Sequence, residues 1–221
     1  GSVYAIFMDL SKGFDTLNHN LLIAKLGAYG FRNDALLYMK SYLSDRHQRV
    51  RVNNSYSDWT KTTAGVPQGS ILGPLLFNIF INDLFLFVSE SSLSNYADDN
   101  TLFNFGFNTE IALSSLSADF KIVKEWYFEN YMVLNADKCY FMCLGKDTEN
   151  KDFFFEDIVI EKKEEVKILG VAIDEKLNFE SHIKTLCVKA SQKLGALSRL
   201  SHYLNKTKKS MIFNSMIKSH F

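Results

Sequence analysis

The chain has 221 residues with 25 basic and 25 acidic side chains, so its formal charge is zero. A content of 47% hydrophobic and 14% aromatic residues fills a large core and excludes a disordered chain. Three cysteines (Cys139, Cys143 and Cys187) are an odd, sparse set that fits a reducing compartment and not a disulfide scaffold.

Charge is unevenly spread. Residues 1–70 hold 8 Lys/Arg against 5 Asp/Glu, residues 71–145 hold 3 against 9, and residues 146–221 hold 14 against 11. From Lys184 to Phe221 there are eight basic residues and no acidic one. An acidic centre between basic flanks suits a protein that gathers metal ions in the middle and phosphates around it.

VYAIFMDL (3–10) reads as a buried strand ending at Asp9. The chain opens directly in this strand, without a signal-peptide pattern, as a truncated chain would. HNLLIAKLGAYGF (19–31) and NDALLYMKSYLSD (33–45) carry helical spacing, with Gly30 and Asn33 as stop and cap. QRVRVNNSYSDWTKTTAG (48–65) alternates about an Asn-Asn turn and predicts a hairpin.

A long helix is expected from about Ser70, with Pro74 in its first turns, where a missing N–H is tolerated. The apolar stretch from 71 to 88 contains Asn78, Asn82 and Asp83, which favours a buried helix over a membrane span. Residues 92–105 predict a second hairpin with Asp98 and Asp99 near its tip. TEIALSSLSADFKIVKEWYFENY (109–131) is an amphipathic helix with its stripe at Ile111, Leu116, Phe120, Val123 and Tyr127. A short strand (139–144), a strand pair (153–174), a helix (181–200) and the start of another (206–221) complete the chain. This order gives an α+β class, one antiparallel sheet with helices on a face.

Two adjacent carboxylates beside an apolar run need an explanation. At an effective dielectric of about 20, carboxylates about 4 Å apart repel by roughly 4 kcal/mol. If Asp9 and the Asp98–Asp99 turn lie on neighbouring strands, three carboxylates converge and their repulsion becomes affinity for a hard divalent cation such as Mg2+. Two such ions about 3.5 to 4 Å apart stabilise the attacking and leaving oxygens of an in-line phosphoryl transfer. Successive strand residues point to opposite faces, so Asp98 is expected as the principal ligand and Asp99 as the auxiliary one.

The strings FMDLSKGFDTLNHN, AGVPQGSILGPLLFNIFINDL and NYADDNTLF, in this order and spacing, resemble the reverse transcriptase domain of non-LTR (LINE-type) retrotransposons. The resemblance runs over essentially the whole chain, and the middle string is the most specific. It implies a polymerase palm over 1–174, with a partial fingers insertion over about 17–64 and the start of a helical thumb over 175–221. The upstream fingers, most of the thumb and an endonuclease domain would lie outside this chain.

The implied activity is RNA-directed DNA polymerisation with two Mg2+ ions (Mn2+ being possible), an RNA template, a DNA primer or target and deoxynucleoside triphosphates. No membrane partner is implied, and the expected location is intracellular, in cytoplasm and nucleus. By the same resemblance Asp9, Asp98 and Asp99 are the metal-binding catalytic residues, assisted by the Leu10 carbonyl. Phe14 matches the steric gate against a ribose 2′-hydroxyl, and Pro67, Gln68 and Gly69 match the loop at the template and incoming nucleotide. Lys138 is similar to a lysine beside the leaving pyrophosphate, a candidate general acid. Leu169 and Gly170 match a primer grip, and the basic segment from Lys184 resembles a thumb contacting the duplex backbone. Gly13 stands where family members often carry Ala, a mild change. A non-catalytic nucleic-acid-binding remnant and an RNA-dependent RNA polymerase are the alternatives.

Other signals read as structural. Cys139, Cys143, His182 and Cys187 are too irregularly spaced for a zinc site. His19 caps or packs, and the aromatic groups at Phe153–Phe155 and Tyr127–Tyr131 pack in the core.

Overall fold

A computed structural model describes residues 1–145, 153–156 and 158–220. The chain divides into two compact units, Gly1–Lys163 and Glu164–Phe221.

The first unit is organised around β1 (Ser2–Asp9), whose aromatic and β-branched residues suit a central strand paired along both edges. It pairs antiparallel with β7 (Asp99–Gly106) on one side and β8 (Tyr140–Leu144) on the other. β6 (Ser92–Tyr96) forms a hairpin with β7, as the alternation predicted. Beyond β8 lie β10 (Ile158–Lys162) and then β9 (Phe153–Phe155), giving the order β6-β7-β1-β8-β10-β9 among the described residues.

The sheet is mixed, not purely antiparallel as expected, because β10 runs parallel to β8 through Glu161↔Tyr140 and Lys162↔Phe141. β9 takes the outer edge, its Phe153 and Phe155 rings meeting Phe120 edge-on at 6.2 and 5.1 Å, and β10 then returns inside it. The run 153–174 is therefore two hairpins and not one strand pair; residue 157 lies outside the described residues.

Helices cover one face of the sheet. In α5 (Thr109–Glu129), Asn108 caps the first turn by accepting from Glu110 and Ile111 N–H groups. Its buried stripe is Ala112, Leu116, Phe120, Val123 and Tyr127, packed with Ile6 and Leu102 of the sheet. Ile111, expected in that stripe, is 65% exposed. It lies five residues before Leu116, off the three- and four-residue spacing of a helix face.

α2 (His19–Ala28) starts with Asn18 accepting from Leu21 N–H and ends where Gly30 takes φ 97°. α3 (Asp34–Leu43) follows Asn33, which holds φ 48° without a side-chain capping bond. The apolar stretch forms α4 (Leu72–Ile81), with Ser70 Oγ accepting from Gly73 N–H, and then tightens into a 3-10 turn over Asn82–Leu86. Asp83 finds a partner there: Lys25 Nζ donates to its carboxylate at 2.7 Å and to Phe80 O at 2.8 Å, over the Phe80 and Trp126 rings. Burial outweighs Asp83 and lowers the Lys25 pKa.

Between α3 and α4 the predicted hairpin appears in two parts. β2 (His47–Gln48) pairs with β5 (Thr60–Lys61), and β3 (Arg51–Val52) pairs with β4 (Ser55–Tyr56) around Asn53 and Asn54. The arms between these pairs differ in length, two residues against three, which breaks the ladder as a bulge does.

The second unit holds an antiparallel hairpin, β11 (Glu165–Ile168) and β12 (Val171–Asp174), followed by α6 (Glu180–Leu200) and α7 (Lys206–Met216). Asp174 accepts backbone N–H groups from Lys176, Asn178 and Phe179, fixing the entry to α6. Among the described residues no helix is long and apolar enough to cross a membrane.

Candidate active site

The strand register assembles the acidic site. Asp9, the last residue of β1, stands directly opposite Asp99, the first of β7. Opposed residues of an antiparallel pair share a face, and like charges there are unfavourable. Asp98 belongs to the two-residue turn joining β6 to β7, so strand alternation does not govern its direction. It lies against α1 (Gly13–Thr16): a Cβ on Gly13 would sit 3.5 Å from the Asp98 Cβ and 3.2 Å from the Phe77 ring. Alanine at position 13 would need Phe77 to give slightly.

The turn is held in a costly conformation. Ala97 has φ 54°, a left-handed geometry that costs a non-glycine residue about 1–3 kcal/mol. Two asparagines brace it. Asn95 Nδ2 donates to Ala97 O at 2.9 Å and to Asn100 Oδ1 at 2.6 Å, and Asn100 Nδ2 donates to Asp98 O at 3.1 Å. Further back, the buried Asp119 accepts backbone N–H groups from Ser89, Glu90 and Ser91, anchoring the segment that enters β6.

Electrostatics follow from this crowding. Partial burial, then the neighbouring charges of Asp98 and Asp9, hold the Asp99 carboxyl above the usual carboxylate range. Lys138 gives partial relief, its Nζ 3.6 Å from Asp9 Oδ2. It is delivered by a 3-10 turn over Ala136–Lys138, tied to β1 by Asn135 N–H donating to Asp9 O at 2.9 Å. Among the described residues, no three His, Cys, Asp or Glu side chains are closed around a single point. The donor set still fits a hard cation: carboxylates at the paired ends of β1 and β7 and in the β6–β7 turn, one destabilised by its neighbours. Leu10 has a buried aliphatic side chain with no donor atom, so its backbone carbonyl is what it could offer a cation.

Beside the aspartates, α1 and the 65–69 loop wall a cleft of about 740 Å³ that Lys12, Asp15, Arg46, Gln48, Pro67 and Gln68 help to line. Gly65 has φ 82°, and a Cβ there would fall 2.6 Å from Asp15 O, so only glycine fits. Gly65 N–H donates to Leu17 O, Val66 N–H to Phe14 O, and the His19 ring donates Nε2–H to Gly65 O at 2.7 Å. Gln68 Nε2 donates to Asp15 Oδ1 at 2.8 Å, and Gly69 turns at φ 77°. Phe14 is half-buried and stacks on Phe77 at 4.4 Å.

Asp9, Asp98, Asp99 and Lys138 thus come together, with Leu10 adjoining. Pro67 and Gln68 line the neighbouring cleft, whereas Phe14 and Gly69 adjoin its lining residues in the chain without lining it. Leu169 and Gly170 form the turn between β11 and β12 in the second unit, both with positive φ (48° and 89°), as a type I′ turn requires. Of the aromatic groups expected in the core, Phe153, Phe155 and Tyr127 are buried, whereas Phe154, Phe128 and Tyr131 are exposed. Sequence reasoning missed Asn95, Asn100, Asp119, Lys12 and Arg46. Only the flanking asparagines had a visible signal, standing symmetrically about the turn.

The mixed sheet with its covering helices gives the chain a polymerase-like fold. Its fold is similar to telomerase from Candida tropicalis, with a TM-score of 0.55 at 17% identity, over 81% of this chain and 35% of that one. Telomerase from Candida albicans, solved with a fragment of telomeric RNA, gives 0.55 at 14% identity, over 98% of this chain and 41% of that one.

Residues 1–173 match the profile of "Reverse transcriptase (RNA-dependent DNA polymerase)", and the chain belongs to that family. It is 30% identical to the probable RNA-directed DNA polymerase from transposon BS of Drosophila melanogaster, covering 87% of this chain and 22% of that protein. It is also 30% identical to the polymerase from mobile element jockey of the same species, covering 92% and 23%. These relatives are non-LTR retrotransposon polymerases, and the chain spans about a fifth of their length.

Proposed function

We propose that this chain carries the polymerisation centre of an RNA-directed DNA polymerase, adding deoxynucleotides to a primer 3′-hydroxyl on an RNA template. The observation that carries the reading is the register that sets Asp9 opposite Asp99, with Asp98 in the adjoining turn. Residues 1–174 would then be the palm, with a fingers insertion over about 17–64, and residues 175–221 the start of a thumb. This boundary differs from the division between the two compact units, which falls after Lys163.

Asp9, Asp98 and Asp99, with the Leu10 carbonyl, would hold two Mg2+ ions (or Mn2+). Bound there, the metals supply Lewis acidity that activates the 3′-hydroxyl and stabilises charge on the departing pyrophosphate. Lys138 screens Asp9 before substrate arrives and is suited to give a proton to the leaving pyrophosphate oxygen. Phe14, fixed by its stack on Phe77, presents a rigid edge where a ribose 2′-hydroxyl would have to fit. Gln68, tethered to Asp15, orients the loop at the incoming base. Leu169 and Gly170 are assigned to the primer end, and the working location to cytoplasm and nucleus.

Primer extension on poly(rA)·oligo(dT) with the chain and its Asp98→Ala variant tests the reading. Incorporation by the first and none by the second is expected. Equal signals from both would leave a non-catalytic remnant as the correct account. Phe14→Ala should admit ribonucleotides, and a parent chain that already accepts both sugars equally would point to an RNA polymerase instead.

A further inference from the structure

The hairpin formed by β2–β5 lies within the proposed fingers insertion but none of its residues has a task in the reading above, and its composition is unusual for an exposed ribbon. Two-stranded ribbons are marginal on their own, and solvent-facing tryptophan needs a reason. Here Trp59 is 61% and Tyr56 50% exposed. Arg49 lies against both rings, its guanidinium carbon 4.1 Å from the Tyr56 centroid and 4.6 Å from Trp59. Arg51, directly across the ladder from Tyr56, lies 5.4 Å from the same ring.

Three planar groups are thus held beside one another, with much of both rings still open to solvent. Among the described residues neither Arg49 nor Arg51 has a carboxylate within ion-pair distance, while the nearby Asp45 is taken by Lys61 at 2.9 Å. Asp58 is the other acid on this ribbon, set against Arg46, Arg49 and Arg51. The same ribbon continues at its base into Arg46, His47 and Gln48, which line the cleft beside the active site.

We infer that this ribbon is a docking surface for an unpaired nucleic-acid strand, with bases stacking on Trp59 and Tyr56 and phosphates meeting Arg49 and Arg51. Stacking is indifferent to base identity, because every base has a π face. The stack with Arg49 holds the rings in place before a strand arrives, which lowers the ordering cost of binding. The uncompensated guanidiniums supply the charge complementarity, and continuity with the cleft gives the strand a direction. The inference deepens the polymerase reading and rests on it for the identity of that strand as unpaired template approaching the active site.

Fluorescence anisotropy of the 221-residue chain with labelled oligonucleotides of about 20 nucleotides tests it, using single-stranded RNA, single-stranded DNA of the same sequence and a blunt duplex. Binding is read in EDTA without triphosphate, so a chain that cannot polymerise still reports on the ribbon. Trp59→Ala is expected to weaken single-strand binding by about fivefold or more while leaving duplex binding within about twofold, since duplex bases are already stacked. Trp59→Phe should recover most of the loss. Arg51→Gln should lower the slope of log affinity against log salt by about 0.7, the counterion release of one phosphate contact on a single strand. All three sites are exposed, and far-UV circular dichroism with thermal melting checks that each variant folds. Unchanged single-strand affinity in both Trp59→Ala and Arg51→Gln overturns the inference. So does an equal loss for duplex and single strand, or a parent chain that binds none of the three ligands.

Discussion

Replacing Gly65 by Ala separates backbone strain from steric conflict at the wall of the cleft. At φ 82° a left-handed alanine costs about 1–2 kcal/mol. The added Cβ would also lie 2.6, 2.7 and 2.8 Å from Asp15 O, Cα and C, all backbone atoms that cannot rotate away. Relief requires the Phe14–Leu17 segment to move, which strains the bonds from Gly65 N–H to Leu17 O and Val66 N–H to Phe14 O. Two such bonds contribute about 1–3 kcal/mol together.

Gly30→Ala is the matched control: φ is 97°, and among the described residues nothing lies within 4 Å of the added Cβ. Both substitutions stiffen the unfolded chain alike, by about 0.4–1 kcal/mol, so that contribution cancels. Gly65→Ala should therefore be about 1–3 kcal/mol less stable than Gly30→Ala. Urea unfolding followed by fluorescence of the buried Trp126 measures the difference as a shift in midpoint. Equal midpoints for the two variants would refute the steric account. In primer extension, Gly65→Ala should raise the KM for deoxynucleotide, because Asp15 carries Gln68.

Three further outcomes are expected. The Asp99 carboxyl is held above its unfolded range, so the folded state binds the extra proton and stability falls as pH rises through the window from about the unfolded value of 3.8 upward. Asp99→Asn should then stabilise the metal-free chain at neutral pH, with the gain vanishing below that window; a gain that persists in acid would contradict the assignment. Asp119→Asn turns one acceptor into a donor facing backbone N–H groups, and should cost about 2–4 kcal/mol in thermal or chemical unfolding. A loss under about 0.5 kcal/mol would show that the Ser89–Ser91 segment is held by other contacts. Among the described residues the buried Tyr127 hydroxyl has no hydrogen-bond partner, and burial pushes its pKa up. Tyr127→Phe should leave stability unchanged or raise it by up to about 1–2 kcal/mol, and a clear loss would reveal a partner.

Much of this molecule was legible because two periodicities are strong in it. β1, the β6–β7 hairpin and α5 follow directly from alternation and helical spacing, and the three aspartates follow from where those elements end. The miss at Ile111 shows how little separates a helix-face residue from its neighbour when only spacing is available. The parallel entry of β10 was hidden because the direction of a strand depends on what its predecessor packs against. Here that is the edge contact of Phe153 and Phe155 with Phe120. The partners of buried polar groups were equally hidden: Asp83 meets Lys25 across 58 residues, and Asp119 meets a loop about 30 residues before it. A single chain read in order carries no signal for such pairs. The bracing by Asn95 and Asn100 lay in plain view, yet both asparagines read as ordinary turn residues until the left-handed Ala97 gave them a task.

The pairing of β1 with β7 has one further consequence. A slip of one residue between these strands would turn Leu102 and Asn100 out of the core and carry Asp99 away from Asp9. The apolar alternation therefore works as an error check on the chemistry. A chain that buries Ile6, Met8 and Leu102 together has no freedom left to misplace its carboxylates, so site assembly needs no folding step of its own. Variants that leave this alternation intact should lose stability well before they lose the alignment of Asp9 with Asp99.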